Sequence, residues 1–152
     1  MSLSVFDVLT SDRIALDLKS RAQAEAITET SALLTTCPYM LDLPTFVSEV
    51  LAREQLSPTA LGSGLAFPHA RTGTVEQIVM AAGRCRDGVS FNGSDPVHLI
   101  FVIGTPKNMV REYLGLVGDL ARRLKQANVR EQMLKAGTAA EFLAALKAVP
   151  RI

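Results

Sequence analysis

The first third of the chain alternates between one strand-like pattern and two helical patterns. Residues 14–18 alternate apolar and polar side chains, which predicts a short strand. The alanine-rich run over 20–34 predicts a helix with Ser20 as its N-cap. A second helix is predicted over 44–54, because apolar residues recur there at helical spacing and Pro44 suits a first turn.

The middle of the chain has a different pattern. The segment 56–74 is rich in glycine and proline around one short apolar piece at 65–67, which predicts a loop, a brief strand and a second loop. Two clearer strands are predicted at 78–85 and 97–103, with a turn region at Gly88 and Gly93 between them. The later strand is apolar on both faces, which is typical of a central strand that helices cover on both sides.

The last third of the chain is predicted to be helical. Seven residues at helical spacing form one apolar stripe, namely Val110, Tyr113, Leu114, Val117, Leu120, Ala121 and Leu124. Asn128 and Thr138 are each followed three residues later by glutamate, the pattern of a capping box at a helix start. Gly137 suits the end of the helix that lies between them.

The predicted element order is therefore β-α-α-β-β-β-α-α-α. The consecutive strands between residues 65 and 103 leave no room for helical crossovers, so the sheet is expected to be small and mixed. Helices on both sides of these strands predict an α/β fold, a three-layer α/β/α sandwich. A length of 152 residues, 48% of them hydrophobic, suits one domain over residues 1–152 with a single sizeable core.

Composition excludes several functional classes. Sixteen basic residues balance fifteen acidic ones, so we expect no nucleic acid partner. Two cysteines provide neither a disulfide framework nor a structural zinc site, and we expect no metal or cofactor. The N-terminus lacks a signal-peptide pattern, and the longest apolar stretch is far shorter than the roughly 20 residues of a membrane span. A cytoplasmic protein without membrane insertion is the expectation.

The strongest candidate for a reactive residue is His69. This histidine follows the brief strand, is preceded by Pro68, and lies two residues before Arg71 in a glycine-containing loop. Loops beyond strand ends are where α/β folds place their chemistry. An imidazole there either caps a loop carbonyl or acts as a nucleophile or general base near neutral pH. His98 lies within a predicted strand and is interpreted as a structural hydrogen-bonding residue.

The segment from Arg53 to Arg71 resembles the active-site segment of the fructose/mannitol-type enzyme IIA domains of the bacterial phosphoenolpyruvate-dependent phosphotransferase system (PTS EIIA type 2). The shared features are an Arg-Glu helix end, a glycine-rich turn followed by Pro-His, and a basic residue two positions after the histidine. The resemblance continues through 96–101 and 114–124 and covers nearly the whole chain. Stand-alone relatives in this family include nitrogen-regulatory IIA proteins.

The resemblance implies a role for each matching residue. His69 would accept a phosphoryl group from the phosphocarrier HPr, or its nitrogen-branch counterpart, and pass it to a IIB partner. Arg53 would contact the phosphoryl oxygens, with a solvated helix-end cation as the alternative. Arg71 would add to the positive field or remain an exposed loop arginine. Gly62 and Gly64 would allow backbone conformations that a side chain forbids.

One position departs from the family pattern. The family usually carries a second histidine near the first, on the helix after the last strand, and the alignment places Tyr113 there. A phenol donates one hydrogen bond but carries no positive charge near neutral pH. Tyr113 also belongs to the predicted apolar stripe, so a plain core aromatic is the alternative interpretation.

Three functional hypotheses follow. The first is a phosphoryl carrier that is phosphorylated on His69. The second is a non-catalytic regulatory binding module of the same fold with impaired transfer, which the missing second histidine favours. The third is a domain like those attached to anion transporters, and the retained Pro68, His69 and Arg53 argue against it.

Overall fold

A six-stranded mixed sheet forms the middle layer of the computed structural model, which describes residues 3–91 and 95–149. The strands are β1 (Ile14–Ala15), β2 (Ala60–Gly62), β3 (Leu65–Ala66), β4 (His69–Arg71), β5 (Val79–Val89) and β6 (Val97–Thr105). Their spatial order is β1-β5-β6-β3-β2, and β4 also pairs with β6. Strand β6 is antiparallel to β5 and parallel to β3 and β4, which confirms the prediction of a central strand.

Helices cover both faces of this sheet. They are α1 (Val5–Val8), α2 (Gln23–Ser31), α3 (Leu43–Leu56), α4 (Val110–Leu124), α5 (Ala127–Lys135) and α6 (Ala139–Lys147). Helices α2 and α3 pack on one face of the sheet, while α1, α4, α5 and α6 pack on the other. Because side chains alternate along β6, Phe101 and Ile103 enter one core and Ile100 and Val102 enter the other. The predicted three-layer α/β/α sandwich is confirmed.

The described α-helices and β-strands include three short ones that the sequence pattern did not predict. These are α1, β2 and β4, each of three or four residues. The predicted strand over 14–18 forms a ladder with β5 at Ile14 and Ala15, and beyond it the N–H of Leu18 donates to the carbonyl of Arg84 at 2.9 Å. Of the two predicted turn residues, Gly88 lies inside β5, because that strand continues to Val89, and Gly93 lies outside the described residues. No helix in the described part of the chain has the length and apolar character needed to cross a membrane.

The predicted cap at Ser20 is wrong, whereas Pro44 lies in the first turn of α3 as predicted. Helix α2 begins after Ala22, and the hydroxyl of Ser20 donates instead to the carboxylate of Glu29 at 2.8 Å. The same carboxylate accepts the backbone N–H groups of Lys19 and Ser20 at 3.0–3.1 Å. These bonds tie the β1–α2 loop to the side of the helix, so Ser20 cannot cap its end.

The predicted cap at Thr138 is confirmed, but the one at Asn128 is wrong. Thr138 accepts the backbone N–H of Glu141 at 3.1 Å, and Gly137 follows the end of α5. Asn128 lies inside α5, whose N-cap is Gln126 and makes no side-chain cap bond. Only two residues separate α4 from α5, so the second helix starts earlier than the capping pattern requires.

The apolar stripe of α4 is rotated from the predicted one. The residues that the helix buries are Leu116, Leu120, Arg123 and Leu124. Leu114 is 61% exposed and Ala121 is also exposed, so both were wrongly assigned to the core. Arg123 is buried because its guanidinium donates at 2.7 Å to the carbonyls of Leu146 and Val149, at the end of α6.

Strands β3 and β4 form one interrupted strand beside β6. Both keep the same register against β6, and His69 pairs with Ile103. The carbonyl of Pro68 accepts the N–H of Ile103 at 3.0 Å, while the N–H of Phe67 turns outward to the carbonyl of Thr59 at 3.2 Å. His69 therefore begins β4 at a sheet edge that β2 leaves uncovered, between α3 and α4.

Candidate functional site

Four of the residues singled out from the sequence line one cleft of about 400 Å³. They are Arg53, His69, Arg71 and Tyr113. Helix α3 contributes the wall that carries Arg53, β4 contributes His69 and Arg71, and the first turn of α4 contributes Tyr113. The cleft is completed by Glu49, Ala52, Leu56 and Ala70.

The imidazole of His69 is half-buried and held by one hydrogen bond. Its Nδ1 atom lies 2.9 Å from the carbonyl oxygen of Phe67. A carbonyl oxygen only accepts, so Nδ1 carries the proton and the neutral ring has its lone pair on Nε2. No residue within 3–91 or 95–149 makes a hydrogen bond to Nε2. The ring thus caps a loop carbonyl with one nitrogen and keeps the other available to a ligand.

Arg53 occupies the last turn of α3. Its Nη1 donates to the carbonyl oxygen of Ser57 at 3.0 Å, just beyond the end of the helix. A guanidinium has five N–H donors, so this bond leaves most of its donors for an anion in the cleft. Arg53 is half-buried rather than fully solvated.

Tyr113 contacts both the cleft and the core. Its ring centroid lies 5.6 Å from that of His69, with 37° between the planes, and the ring also packs against the core under α4. Burial raises the pKa of Tyr113, and the positive charge of Arg53 opposes that rise only in part. The phenol is therefore protonated at neutral pH and is a hydrogen-bond donor.

The charges around the cleft suit an anion. Arg71 is exposed at the end of β4 and adds a second guanidinium to that of Arg53. Glu49 is the acidic residue of the cleft, and its Oε1 accepts the hydroxyl of Thr72 at 2.6 Å. An unprotonated imidazole nitrogen beside two guanidinium groups can attack an electrophile whose oxygens are negatively charged.

The glycines singled out from the sequence lie outside this cleft. Gly62, Ser63 and Gly64 have φ angles of 82°, 56° and 77°, so three successive residues adopt the left-handed conformation in the β2–β3 turn. A Cβ on Gly64 would lie 3.1 Å from the ring of His98. His98 itself is held through Nδ1 by the carbonyl of Cys85 at 3.0 Å, as its structural interpretation requires. The glycines therefore shape the hairpin.

Two carboxylates near the cleft, those of Glu49 and Glu54, have no role that the sequence pattern predicts. Glu54 belongs to the Arg-Glu helix end, but it is 4% exposed and accepts three hydrogen bonds. The local sequence does not predict that Glu54 is buried, because a polar loop follows it. Its partner Thr59 reaches the carboxylate only when that loop folds back against the helix. Glu49 lies at a helical spacing of four residues before Arg53, which is the one sequence signal that places it on the same face.

The fold and this histidine-bearing edge strand define the class of IIA-type domains. The crystal structure of the nitrogen regulatory protein IIA-Ntr from Neisseria meningitidis has a TM-score of 0.84 and 32% identity, covering 92% of this chain and 97% of that one. The Escherichia coli enzyme IIA-mannitol, solved in complex with phosphorylated enzyme IIB-mannitol, has a TM-score of 0.80 and 24% identity, covering 93% and 100%. That second likeness shows the fold alone.

The chain belongs to the family described as phosphoenolpyruvate-dependent sugar phosphotransferase system, EIIA 2, whose model matches residues 7–149. It is also 30% identical over 136 residues to the fructose-specific EIIABC component of Bacillus subtilis. That match covers 88% of this chain but only 21% of the relative, so the chain spans about a fifth of that protein's length. The family resemblance inferred from the sequence is confirmed.

Proposed function

We propose that this chain is a phosphoryl carrier of the phosphotransferase system and that Nε2 of His69 accepts the phosphoryl group. The observation that carries the proposal is the hydrogen bond from Nδ1 of His69 to the carbonyl of Phe67, at 2.9 Å, which leaves Nε2 unprotonated and open to the cleft. Family membership over residues 7–149 supports the same reaction.

The transfer balances without a separate base. The lone pair of Nε2 attacks the phosphorus of a donor phosphohistidine, the donor N–P bond breaks, and its electron pair returns to the donor nitrogen. The proton stays on Nδ1 throughout, and Nδ1 continues to donate its hydrogen bond to the carbonyl of Phe67. Arg53 and Arg71 hold the phosphoryl oxygens with charge-assisted bonds, and the hydroxyl of Tyr113 donates one neutral bond. The residues mainly supply positioning and charge, which is what phosphoryl transfer requires.

The partners are those that membership of this family implies. HPr, or its nitrogen-branch counterpart, supplies the phosphoryl group, and a IIB domain or a regulated protein receives it. We place the relay in the cytoplasm and treat residues 1–152 as one domain. The chain supplies every group that the transfer uses, so no cofactor is invoked.

The second candidate is a regulatory module whose phosphorylation state selects protein partners. The observation that favours it is Tyr113, because a protonated phenol in the cleft cannot supply a positive charge near neutral pH. Such a module would accept phosphate on His69 but release it slowly. The two candidates differ in the rate of onward transfer, not in the residue that is modified.

Incubation with phosphoenolpyruvate, enzyme I and HPr tests both candidates. We expect one acid-labile phosphoryl group by intact-protein mass spectrometry in the wild-type chain and none in His69→Ala. A label that persists in His69→Ala would remove His69 from the proposal. His98→Gln is the matched control, because His98 is held by a backbone carbonyl in the same way but lies outside the cleft. Rapid onward transfer to a IIB domain favours the carrier, and retention of the label favours the regulator.

A further inference from the structure

The buried carboxylate of Glu54 anchors Thr59, which is connected to His69 by hydrogen bonds and to the partner of Arg53 by the backbone of residues 57–59. Its Oε2 accepts the backbone N–H of Thr59 at 2.9 Å and the side-chain amide of Gln23 at 2.9 Å. Its Oε1 accepts the hydroxyl of Thr59 at 2.6 Å. Three donors thus converge on a side chain that is only 4% exposed.

The buried carboxylate of Glu54 fixes the position of Thr59. Within residues 3–91 and 95–149, no lysine, arginine or histidine pairs with Glu54. Burial of an unpaired charge is costly, and the three hydrogen bonds are what offset that cost. The bonds to Thr59 are therefore strongly maintained, because releasing Thr59 would remove two of these three donors and leave the carboxylate with the amide of Gln23 alone. Glu54 holds Thr59 in one place.

One arm of the chain leads from Thr59 to His69. The carbonyl of Thr59 accepts the N–H of Phe67 at 3.2 Å, and the carbonyl of Phe67 accepts Nδ1 of His69 at 2.9 Å. The peptide groups of Thr59 and Phe67 thus connect the carboxylate to the imidazole. Displacement of Thr59 would move the carbonyl that keeps the proton on Nδ1.

The other arm leads to Arg53. Residues 57–59 form a short bridge between the end of α3 and the start of β2, and Thr59 is its anchored end. The carbonyl of Ser57, in the same bridge, accepts Nη1 of Arg53 at 3.0 Å, and the N–H of Ser57 donates to the carbonyl of Arg53 at 3.4 Å. The guanidinium is thus oriented by a loop whose far end Glu54 fixes.

We propose that Glu54 is a positioning residue of the phosphoryl site, which fixes the tautomer of His69 through Thr59 and Phe67 and the guanidinium of Arg53 through Ser57. Gln23 on α2 completes the anchor. The inference rests on the proposed function, because it explains how the accepting nitrogen and its cationic partner are kept ready together. Glu54 itself contacts neither the phosphoryl group nor the reacting nitrogen.

The test compares Glu54→Ala with Glu29→Ala. Glu29 is a matched control because its carboxylate also ties down a loop, through Lys19 and Ser20, away from the cleft. Unfolding in urea measures the stability loss in both variants, and phosphotransfer from HPr measures the rate. We expect Glu54→Ala to slow phosphorylation by on the order of tenfold to a hundredfold, since small displacements of reacting groups have effects of that size. Glu29→Ala should lose stability and keep its rate.

A spectroscopic readout separates positioning from general destabilisation. Imidazole ¹⁵N shifts, recorded on the unphosphorylated protein at about pH 8.5 where imidazole is ordinarily neutral, report which nitrogen of His69 carries the proton. We expect the Nδ1–H tautomer in the wild type and in Glu29→Ala, and a mixture of tautomers in Glu54→Ala. This measurement does not depend on phosphotransfer, so it tests Glu54 even if the wild type accepts no phosphate.

Milder variants keep the proposal testable if Glu54→Ala does not fold. Thr59→Val removes only the hydroxyl, and Gln23→Ala removes only the amide donor, so each should shift the tautomer ratio less than Glu54→Ala would. The proposal is overturned if the folded variants keep the wild-type tautomer and rate. It is also overturned if Glu29→Ala changes both to the same extent.

Discussion

Arg53 shows how much the identity of one cation matters at this site. The guanidinium donates to one carbonyl at 3.0 Å, and its remaining N–H groups are the ones that would bind the oxygens of the proposed phosphoryl group. A lysine in its place keeps the charge but cannot make two parallel bonds. We therefore expect Arg53→Lys to slow transfer by about tenfold to a hundredfold, the equivalent of roughly 1.5–3 kcal/mol for a charge-assisted bond.

The rate of phosphoryl transfer from phospho-HPr, measured in samples quenched at successive times, tests that expectation. Arg21→Lys is a suitable control, because Nη1 of Arg21 also donates to a backbone carbonyl, that of Leu18 at 3.2 Å, and Arg21 lies outside the cleft. The control should retain the wild-type rate. An unchanged rate in a folded Arg53→Lys protein would return Arg53 to the alternative of a helix-end cation.

Two substitutions of Tyr113 are expected to change the rate of phosphoryl transfer in opposite directions. Tyr113→Phe keeps the ring in the core and removes the hydroxyl, so we expect transfer to slow by roughly fivefold, the equivalent of about 1 kcal/mol for a neutral bond. Tyr113→His introduces a group that can become cationic, so we expect faster transfer. Both rates are compared with thermal midpoints of the same variants.

The second tyrosine of the chain provides the control for this pair. Tyr39 is 44% exposed and lies outside the cleft, so Tyr39→Phe should change neither rate nor midpoint. A lowered midpoint in Tyr113→His, with unchanged rates in both Tyr113 variants, would make Tyr113 a core residue only.

At the scale of elements, the β2–β3 hairpin carries local strain in its turn. Ser63 has a φ of 56°, in the left-handed region that costs an ordinary L-residue roughly 1–2 kcal/mol. Asn followed by Gly is the preferred pair in such two-residue turns. We expect Ser63→Asn, which places Asn before Gly64, to raise the free energy of unfolding by about 0.5 kcal/mol or more.

Urea denaturation measures this gain, and two further variants calibrate it. Ser48→Asn, at an exposed helical position in α3, should bring no gain because its backbone is already favourable. Gly64→Ala should destabilise the protein, since φ is 77° there and the new Cβ would lie 3.1 Å from His98. A loss of stability in Ser63→Asn would contradict the account of the turn.

Long elements could be predicted from the sequence because their side-chain period repeats enough times to be read. Strands β5 and β6 and helix α4 each span nine residues or more, and each was predicted. Strands β2 and β4 have three residues each, too few for a period, and they exist because β3 and β6 present unpaired backbone groups beside them. Their pairing is a tertiary effect that no local pattern contains.

The errors on α4 have a related cause. Helical spacing groups Leu114 with Leu124 as easily as it groups Leu116 with Leu120, so periodicity alone does not decide which stripe faces the sheet. The deciding feature is buried Arg123, whose hydrogen bonds go to a carbonyl in the last turn of α6 and to one just beyond that helix, 23 and 26 residues later. A charged residue in a core position cannot be predicted without those acceptors.

The candidate site was predictable to the extent that a motif marks it. His69 and Arg53 belong to a contiguous motif, and the structure brings both into one cleft. The role proposed for Glu54 depends on contacts with Thr59 and Gln23, which are made by a folded loop and a neighbouring helix. Because packing determines these partners, the positioning role proposed for Glu54 could not be predicted from the sequence motif that contains it.

For the whole molecule, hydrogen-bonded carboxylates couple stability to pH. Burial raises the pKa of Asp119, but its bonds to Arg122 and Arg123 at 2.9 and 3.0 Å outweigh burial and hold the pKa below its ordinary value. Glu29 behaves in the same way because its bonds to the β1–α2 loop outweigh burial. The unfolded chain therefore takes up protons at a higher pH than the folded chain does.

The sign of the effect follows from that difference. Stabilisation by Asp119 and Glu29 is present above about pH 4.5 and is lost as the pH falls through the lowered folded-state values. We expect the free energy of unfolding in urea to be flat from about pH 7 to 5 and to decline below that range. Asp119→Asn should be less stable at neutral pH and show a shallower decline. If the free energy of unfolding of Asp119→Asn declined as steeply as that of the wild type, Asp119 would not be a source of the acid sensitivity.

The central position of β6 has a consequence for protein synthesis. Among the described strands, β4 has β6 as its strand partner, and β3 and β5 also pair with β6. The ribosome releases the chain from its N-terminus, so His69 emerges well before residue 97, where β6 begins. A nascent chain that stops short of β6 contains the histidine but no strand to hold it against α3 and α4. We therefore expect newly made chains to become substrates for phosphorylation only after most of the polypeptide has left the ribosome.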